Sequence, residues 1–453
     1  MIKAISWCDR VMFLALLVLV IFIPYSSAMI QTSLIIMMLG WQIKHFLMWR
    51  SNPQQGWMAS YRLPYVSLQW PLIIIGALIL LTMPFSQAPA LTLKKFFSRF
   101  LQQALLMYLV LEIVNKPKRL YQVLGVLLWT LIVANADVFI QYFSGQSFIF
   151  SNQLLYGRVA GPMRHPNDLG TLLITVIPVI LSLLITREWW ISFFNLQRFK
   201  GIITALIAVL LALSVIALGL SSSRGAWLAF GVSMLSFGVC LKKPWWTAAI
   251  LAMLVLFFWG FGTYCINIRT DIAPSERISE TVSPQQGEHP GDSNHLSTLL
   301  ANGEKVLLNA SRRDVYWQTA LDVIKTYPVF GCGYNAYIQT LKKLKFHPEE
   351  YPHNSLLQIG SELGLLGLFA HLCLFVSIFI CGIRTLKAVA FSQGLYILGL
   401  GLCVGLMAWL IHSFTDTAWE SLQLGILWWT MIGLLLSLAP VAKQMNLSHK
   451  GGV

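Results

Sequence analysis

The sequence predicts an all-α, polytopic membrane protein with about twelve transmembrane helices and a helical cap on one face. Hydrophobic residues make up 57% of the chain and charged residues only 11%, against about 25% charged residues in an ordinary soluble domain. Apolar runs of about 20 residues, long enough to cross a bilayer, recur along the chain. Only one long stretch, Cys265 to Pro352, is rich in charged and polar residues.

The apolar runs divide the chain into three parts: residues 1–264 with nine spans, an outer loop at 265–352, and residues 353–453 with three spans and a cytoplasmic tail. The predicted spans are residues 9–27, 28–47, 65–84, 97–114, 119–142, 167–186, 201–220, 225–241, 244–264, 354–383, 392–412 and 421–440.

The basic residues set the orientation, because loops rich in Lys and Arg stay in the cytoplasm. With the N-terminus inside, clusters such as 116–119 and 242–243 fall on the inner side. This sorting accounts for the net charge of +14 without a nucleic-acid partner. Lys94, Lys95 and Arg99 do not fit, since they fall on the outer side. They could line a site for an anionic lipid or anchor an interfacial helix.

The loop at 265–352 is too long for a plain connection and should have structure or function of its own. Residues 270–294 are rich in Pro, Ser, Glu, Gln and Gly, a composition that predicts disorder. A helix is predicted over 314–324, and Pro328 should follow its end. Its expected apolar face consists of Trp317, Ala320, Leu321 and Ile324. A tight turn at 331–335 and a short helix at 336–345 complete the cap.

Arginines accumulate at the predicted outer face. Arg224 follows three serines and precedes Gly225 in a very short connection, so Arg224 and Ser223 could hold a phosphate, or Arg224 could snorkel at the interface. Arg158 and Arg164 precede the sixth span, beside His165, whose following proline also suggests a structural turn. Two further candidates, Arg312 and Arg313, begin the helix of the cap.

The group Pro352-His353-Asn354-Ser355 lies where the outer loop meets the tenth span. His353 is a candidate base, because proton transfer in enzymes most often uses a histidine, although Asn354 or Ser355 could simply cap the helix. His412 and Asp416 are spaced i, i+4 and could form a supporting pair or an interfacial hydrogen bond. Few carboxylates accompany these groups, so we predict no metal site, and arginine can bind phosphates instead.

Together these segments resemble the O-antigen ligase and polymerase superfamily of bacterial envelopes, most clearly over residues 200–440. The resemblance rests on three groups of residues: Ser223-Arg224-Gly225; Arg312-Arg313 with Trp317, Pro328, Gly331, Gly333 and Asn335; and His353-Asn354-Ser355 with Gly360, Glu362, Gly364 and Gly367. It implies a GT-C-like fold in the bacterial inner membrane, with the active site facing the periplasm.

The resemblance also implies a reaction. Ligases of this family transfer a glycan from undecaprenyl diphosphate to lipid A–core, whereas polymerases join lipid-linked repeat units. A single large outer loop favours the ligase. The catalytic residues would be His353 as the base, with Arg224 and Arg313 stabilising the diphosphate. The substrate-binding residues would be Arg312, Arg158, Arg164, Ser223 and Asn354.

The implied partners are the lipid-linked glycan donor, the lipid A–core acceptor and membrane lipids, with no nucleic acid and no cofactor. Direct displacement would invert the anomeric carbon. Two alternatives remain: a lipid or solute transporter that uses the arginines to bind an anionic cargo, and a protein-glycosylating oligosaccharyltransferase of the same superfamily. Transporter sites often lie near the bilayer midplane, whereas the polar groups here lie at one face.

Overall fold

The architecture, taken from a computed structural model, is a bundle of α-helices. The structure describes residues 1–55, 67–155, 157–271, 313–346 and 349–450. Within these ranges the strand-like pairing is limited to two isolated bridges. The helices are α1 (Ile2–Phe22), α2 (Ser27–Ser51), α3 (Gln69–Thr82), α4 (Pro89–Lys95), α5 (Gln102–Ile113), α6 (Pro117–Ser144), α7 (Pro166–Ile185), α8 (Arg187–Phe193), α9 (Lys200–Leu220), α10 (Arg224–Cys240), α11 (Pro244–Asp271), α12 (Arg313–Thr326), α13 (Tyr337–Leu344), α14 (Ser355–Ala388), α15 (Gln393–His412) and α16 (Leu422–Lys450).

The predicted class, an all-α multi-pass membrane protein, is confirmed. Among the described residues, nine helices are long and apolar enough to cross a membrane, and two shorter apolar helices lie at Gln69–Phe85 and Arg224–Cys240. Every predicted span coincides with a helix, but the number of twelve crossings is not confirmed. The GT-C-like arrangement also stays a prediction.

Helix starts follow local sequence rules. Four helices (α4, α6, α7 and α11) begin with proline, whose fixed φ suits the first turn and whose missing N–H would have no partner there. Asn354 caps α14 by accepting hydrogen bonds from the backbone N–H groups of Leu356 and Leu357 at 3.0 and 3.2 Å. The boundaries of these helices are therefore encoded locally.

The centre of the bundle is the contact between α7 and α15. Gly401 and Gly405 lie one turn apart on α15, and a Cβ on either would meet the α7 backbone, at 2.7 Å from the Pro178 carbonyl oxygen and 2.1 Å from that of Thr175. Small residues at this spacing let two membrane helices approach closely. The close contact fixes the relative height of α7 and α15, whose ends later form the site.

The cap is docked into a break in α14. Gly364 has a φ of 67° and interrupts the helix. The freed carbonyls of Ser361 and Glu362 accept hydrogen bonds from the N–H groups of Cys332 and Gly333 at 2.8 and 2.9 Å. The turn predicted at 331–335 thus becomes part of the membrane-facing structure, since it satisfies backbone groups of the tenth span.

One predicted face of the cap is wrong in part. On α12, Ala320 and Val323 are buried, whereas Trp317 and Leu321 are exposed. The reason is the docking of α12 on α14, where the Ser361 hydroxyl donates to the Ala320 carbonyl at 3.1 Å. This contact turns the Ala320 side of the helix inward. The region predicted to be disordered, 270–294, lies almost entirely outside the described residues.

Candidate functional site

Four helix ends meet at one end of the bundle, around the turn that follows α15. The N–H of Ser355, at the start of α14, donates to the Ser413 carbonyl at 2.8 Å. Thr171, in the first turns of α7, is 2.8 Å from Nδ1 of His412. A Cβ on Gly225, at the start of α10, would lie 2.1 Å from Oγ1 of Thr415. Residues 412–416 are therefore the point where segments distant in sequence converge.

His353 lies at this point and is hydrogen-bonded to Asp416. Its Nδ1 is 3.1 Å from Oδ1 of Asp416. The His353 backbone has a φ of 46°, a left-handed conformation that is uncommon for residues other than glycine and is found at functional sites. The ring is one-third exposed, and its centroid lies 5.7 Å from that of Tyr316 on α12. The histidine is thus oriented from below by Asp416 and flanked by the cap.

Asp416 is held ionised beside this histidine. Burial alone would raise the pKa of Asp416, but the hydrogen bond with His353, the nearby His412 and the Thr417 N–H together lower the pKa below its ordinary value. An ionised carboxylate only accepts hydrogen bonds. Nδ1 of His353 therefore donates to Asp416, and this contact leaves Nε2 as the ring nitrogen available to accept a proton. Among the residues that the structure describes, none is hydrogen-bonded to that Nε2.

A cleft of about 370 Å³ opens beside the pair. It is lined by Ser27, Arg99, Arg164, His165, Asp168, His353, Asp416, Thr417, Glu420, Ser421, Leu422 and Gln423. Asp168, Asp416 and Glu420 make this wall richer in carboxylates than the sequence suggested. The expectation of few carboxylates is therefore wrong, because residues from α7 and from the turn before α16 are brought to the histidine by the fold.

The two principal arginines start helices that reach the same turn. Arg224 is exposed at the first position of α10, next to Gly225, which packs on Thr415 and His412. Arg313 begins α12, one turn before Tyr316, whose ring centroid lies 5.7 Å from that of His353. Both cations therefore belong to segments that contact the His353 region, and their roles stay predictions.

Arg158 and His165, in the segment before α7, make hydrogen bonds within the protein. Arg158 donates from Nε to the Ser221 carbonyl at 2.9 Å and from Nη2 to Oδ1 of Asn167 at 2.8 Å. His165 caps α7, accepting from the Asn167 N–H at 3.1 Å, and burial together with the Arg158 charge lowers the pKa of His165 to about 4. Arg164 is exposed and lines the cleft.

The other residues predicted to bind substrate lie in different surroundings. Ser223 is buried and precedes α10, but its side chain does not cap that helix. The side-chain oxygen of Asn354 accepts the hydrogen bonds that cap α14. Arg312 lies outside the described residues. The substrate-binding roles of these three residues, like those of Arg158 and Arg164, stay predictions.

His412 and Asp416, for which the sequence left a supporting pair or an interfacial hydrogen bond open, have different hydrogen-bond partners. His412 bonds to Thr171, and Asp416 bonds to His353. Helical spacing suggested the pair, but Asp416 lies beyond the last residue of α15, where the i, i+4 rule no longer applies. Sequence reasoning also missed Glu420 and left Arg99 open. The signal for Arg99 was its failure to fit the charge rule for outer loops.

In the part of the chain that the structure describes, no group of three or more His, Cys, Asp or Glu side chains is arranged to hold a metal ion. A protein family described as O-Antigen ligase matches residues 208–372. No curated protein matches the chain. The matched segment runs from within α9 into α14 and contains Arg224, Arg313 and His353, and it supports a ligase or polymerase type of activity in lipopolysaccharide biosynthesis. The match over residues 208–372 supports membership of the O-antigen ligase superfamily.

Proposed function

We propose that the protein is an O-antigen ligase of the bacterial inner membrane, which transfers a glycan from undecaprenyl diphosphate to lipid A–core at the periplasmic face. The observation that carries the proposal is the His353–Asp416 pair, 3.1 Å apart, in a cleft at the converging helix ends. A protein that only transports a lipid needs cations but has no need of an oriented base. The pair therefore favours catalysis over transport.

His353 acts as the general base. A sugar hydroxyl is a weak nucleophile, and a neutral imidazole can take its proton as the oxygen attacks the anomeric carbon. The new bond joins the acceptor oxygen to that carbon, and the proton passes to Nε2 of His353. Asp416 fixes the tautomer through Nδ1 and stabilises the imidazolium that forms.

The leaving group is undecaprenyl diphosphate. As the bond from the anomeric carbon to the phosphate oxygen breaks, its electron pair stays on the diphosphate, and negative charge grows there. Arg224 and Arg313 stabilise this charge, because a planar guanidinium can donate two parallel hydrogen bonds to a phosphate. Attack from the side opposite the leaving group inverts the anomeric configuration.

The choice of ligase over polymerase rests on the single long outer segment, residues 265–352, between the spans that contain α11 and α14. The segment between α6 and α7 is shorter, running from Gly145 to His165. A polymerase would instead join lipid-linked repeat units with the same base and arginines. The two reactions share a donor and differ in the acceptor.

The test is the lipopolysaccharide of a strain that lacks the gene, complemented with wild type or with His353→Ala. We expect the deletion to lose capped lipopolysaccharide and to accumulate lipid-linked polymer, and His353→Ala to behave like the deletion at equal protein level. A core carrying a single repeat unit in the deletion strain would identify a polymerase.

A transfer assay with purified protein, lipid-linked glycan and lipid A–core then isolates the base. His353→Ala should lower turnover at least about 100-fold, the contribution of a general base. His45→Ala is the matched control, since this buried histidine lies at the opposite end of the bundle, where its Nε2 is 3.1 Å from Oε1 of Glu112. Near-normal turnover by His353→Ala would remove it as the base.

A further inference from the structure

Arg99 grips the short segment that follows Asp416. Its Nη1 donates to the Trp419 carbonyl and to Oε2 of Glu420, both at 3.2 Å, and its Nη2 donates to the Glu420 carbonyl. Three acceptors on two consecutive residues are thus held by one guanidinium. The side chains of Arg99 and Glu420 are only 14% and 19% exposed, so the ion pair is shielded from solvent.

The segment is tied at its other end as well. The Ser355 hydroxyl donates to the Asp416 carbonyl at 3.0 Å, and the Glu420 N–H donates to the Thr417 carbonyl at 3.0 Å within the 3₁₀ turn Ala418–Glu420. Asp416 and Glu420 therefore stand at the two ends of one fixed turn. A displacement of Glu420 would therefore shift Asp416 through the three backbone residues between them.

The helix that carries Arg99 is itself adapted to this contact. Residues Phe96–Leu101 form a π-helical turn between α4 and α5. Such a turn inserts one residue into a helix and re-aims the side chains within it, and it is found mostly at functional sites. Here it places Arg99 against the turn before α16.

Glu420 is also bound from the cap and from α14. Its Oε1 accepts from Nδ2 of Asn335 at 2.8 Å and from Nε2 of Gln358. Gln358 reaches Oε1 of Glu362 at 3.3 Å, and Glu362 accepts the Asn335 N–H at 2.8 Å. The buried Glu362 and the partly buried Glu420 are thus linked by shared donors, which couples the cap, α14 and the turn.

This network borders a small cavity of about 40 Å³, and Arg99 and Glu420 line both the cavity and the cleft of His353. Three of its lining side chains have buried polar atoms without partners among the described residues: Nε2 of Gln103, Oε1 of Gln358 and Nε1 of Trp419. A space of this volume is large enough for a water molecule. The Arg99–Glu420 pair is the wall between this cavity and the cleft.

We propose that Arg99 and Glu420 are positioning residues for the transfer reaction, which hold the Ala418–Glu420 turn so that Asp416 orients His353. The proposal rests on the proposed function. Neither side chain needs to touch the reacting atoms. Their effect is on how well the base is aligned, and misalignment by about 1 Å costs up to about 100-fold in rate.

The test is the transfer assay with Glu420→Gln, which keeps the shape and removes the charge. We expect kcat to fall about 10- to 100-fold, with KM for the lipid-linked donor changed less than about twofold, because the donor site itself is intact. Arg99→Lys is the second variant if Glu420→Gln accumulates poorly. It keeps the charge but cannot bond all three acceptors, and the same loss of kcat is expected.

A double variant separates alignment from general damage. If Glu420 acts through Asp416, then Asp416→Asn/Glu420→Gln should be no slower than Asp416→Asn alone, whereas Glu420→Gln combined with Arg224→Lys should show multiplied losses. The matched control is Glu112→Gln, the same change in the buried Lys44–Glu112 pair (2.7 Å), which involves none of the cleft residues. It should leave kcat unchanged.

Three results would overturn the proposal: normal kcat in both variants, a raised KM at unchanged kcat, or multiplied losses with Asp416→Asn. A raised KM would mean that Arg99 binds the donor directly. Failure of the proposed function is distinguishable, since it would appear as full turnover by His353→Ala. If His353→Ala is inactive and Glu420→Gln is normal, only the positioning role is lost.

Discussion

At the scale of single residues, the backbone of His353 is the unusual feature. A φ of 46° disfavours a side chain with a Cβ, yet the following residues fix it, because Asn354 caps α14 and Ser355 is bonded to Ser413 and Asp416. Strain of this kind persists only where the surroundings over-determine it. The result is a ring aimed at Asp416 and at the cleft.

The arginines give a prediction at the same scale. Arg224→Lys and Arg313→Lys should each lower transfer by at least about 10-fold while the protein still inserts, because a point charge cannot reproduce a planar pair of hydrogen bonds. The measurement is turnover at matched protein level. Lys325→Arg is a control for a conservative change on the same cap helix, at a side chain that is 70% exposed and paired with Asp322. Full activity of Arg224→Lys would show that bidentate binding is not required there.

At the scale of elements, the break in α14 joins the cap to the membrane part. The positive φ of Gly364 opens the helix, and the turn at Gly331 and Gly333 enters the gap. A Cβ on Gly364 would lie 2.2 Å from the Val329 carbonyl oxygen, and one on Gly331 would lie 2.3 Å from the Glu362 carbonyl carbon. Both glycines are therefore required by close backbone approach as well as by conformation.

Gly364→Ala tests this junction. We expect a loss of stability of more than about 2 kcal/mol, from the left-handed conformation together with the backbone contact, seen as lower thermal stability in detergent and poor accumulation. Gly125→Ala is the control, because a Cβ there meets nothing within 4 Å and alanine favours a helix by about 0.5–1 kcal/mol over glycine. Equal stability of the two variants would contradict the docking of the cap in the break.

At the scale of the whole molecule, the two ends of the bundle differ in the ion pairing and exposure of their charged side chains. At the end opposite the cleft, Lys44 bonds to Asp9 and Glu112 at 2.8 and 2.7 Å, and Arg119 bonds to Asp9 at 3.1 Å. These cations are neutralised within a structural cluster of α1, α2, α5 and α6. At the cleft end, Arg164 and Arg224 are exposed, as binding of an anionic substrate would require.

The orientation of the bundle is the prediction at this scale. A reporter enzyme fused after Asn294 should behave as periplasmic, and one fused after Lys243 should behave as cytoplasmic, because the basic clusters remain inside. Alkaline phosphatase and a cytoplasmic reporter, each fused at both positions, provide reciprocal controls. Opposite activities would place the His353 cleft on the cytoplasmic face and exclude the proposed reaction.

The sequence alone determined the class of the protein and the position of its helices, because apolar runs, helix-starting prolines and an Asn cap act over a few residues. It also singled out His353, Arg224 and Arg313 by motif. The partner of the histidine could not be found in this way, since Asp416 is 63 residues away and helical spacing pointed to His412 instead. The contacts of Glu420 and the buried face of α12 could not be predicted either, because they also depend on residues distant in sequence.

What only the tertiary structure decided is therefore which charged groups meet. Hydrogen bonds and ion pairs between helices depend on rotation and relative height, and these follow from glycine contacts such as those of Gly405 and Gly364 with distant backbone. Short segments of the sequence show which residue types are present, but they do not give the distances between residues on different helices. His353, Asp416 and the Arg99–Glu420 pair come together through contacts between helix ends that are distant in sequence.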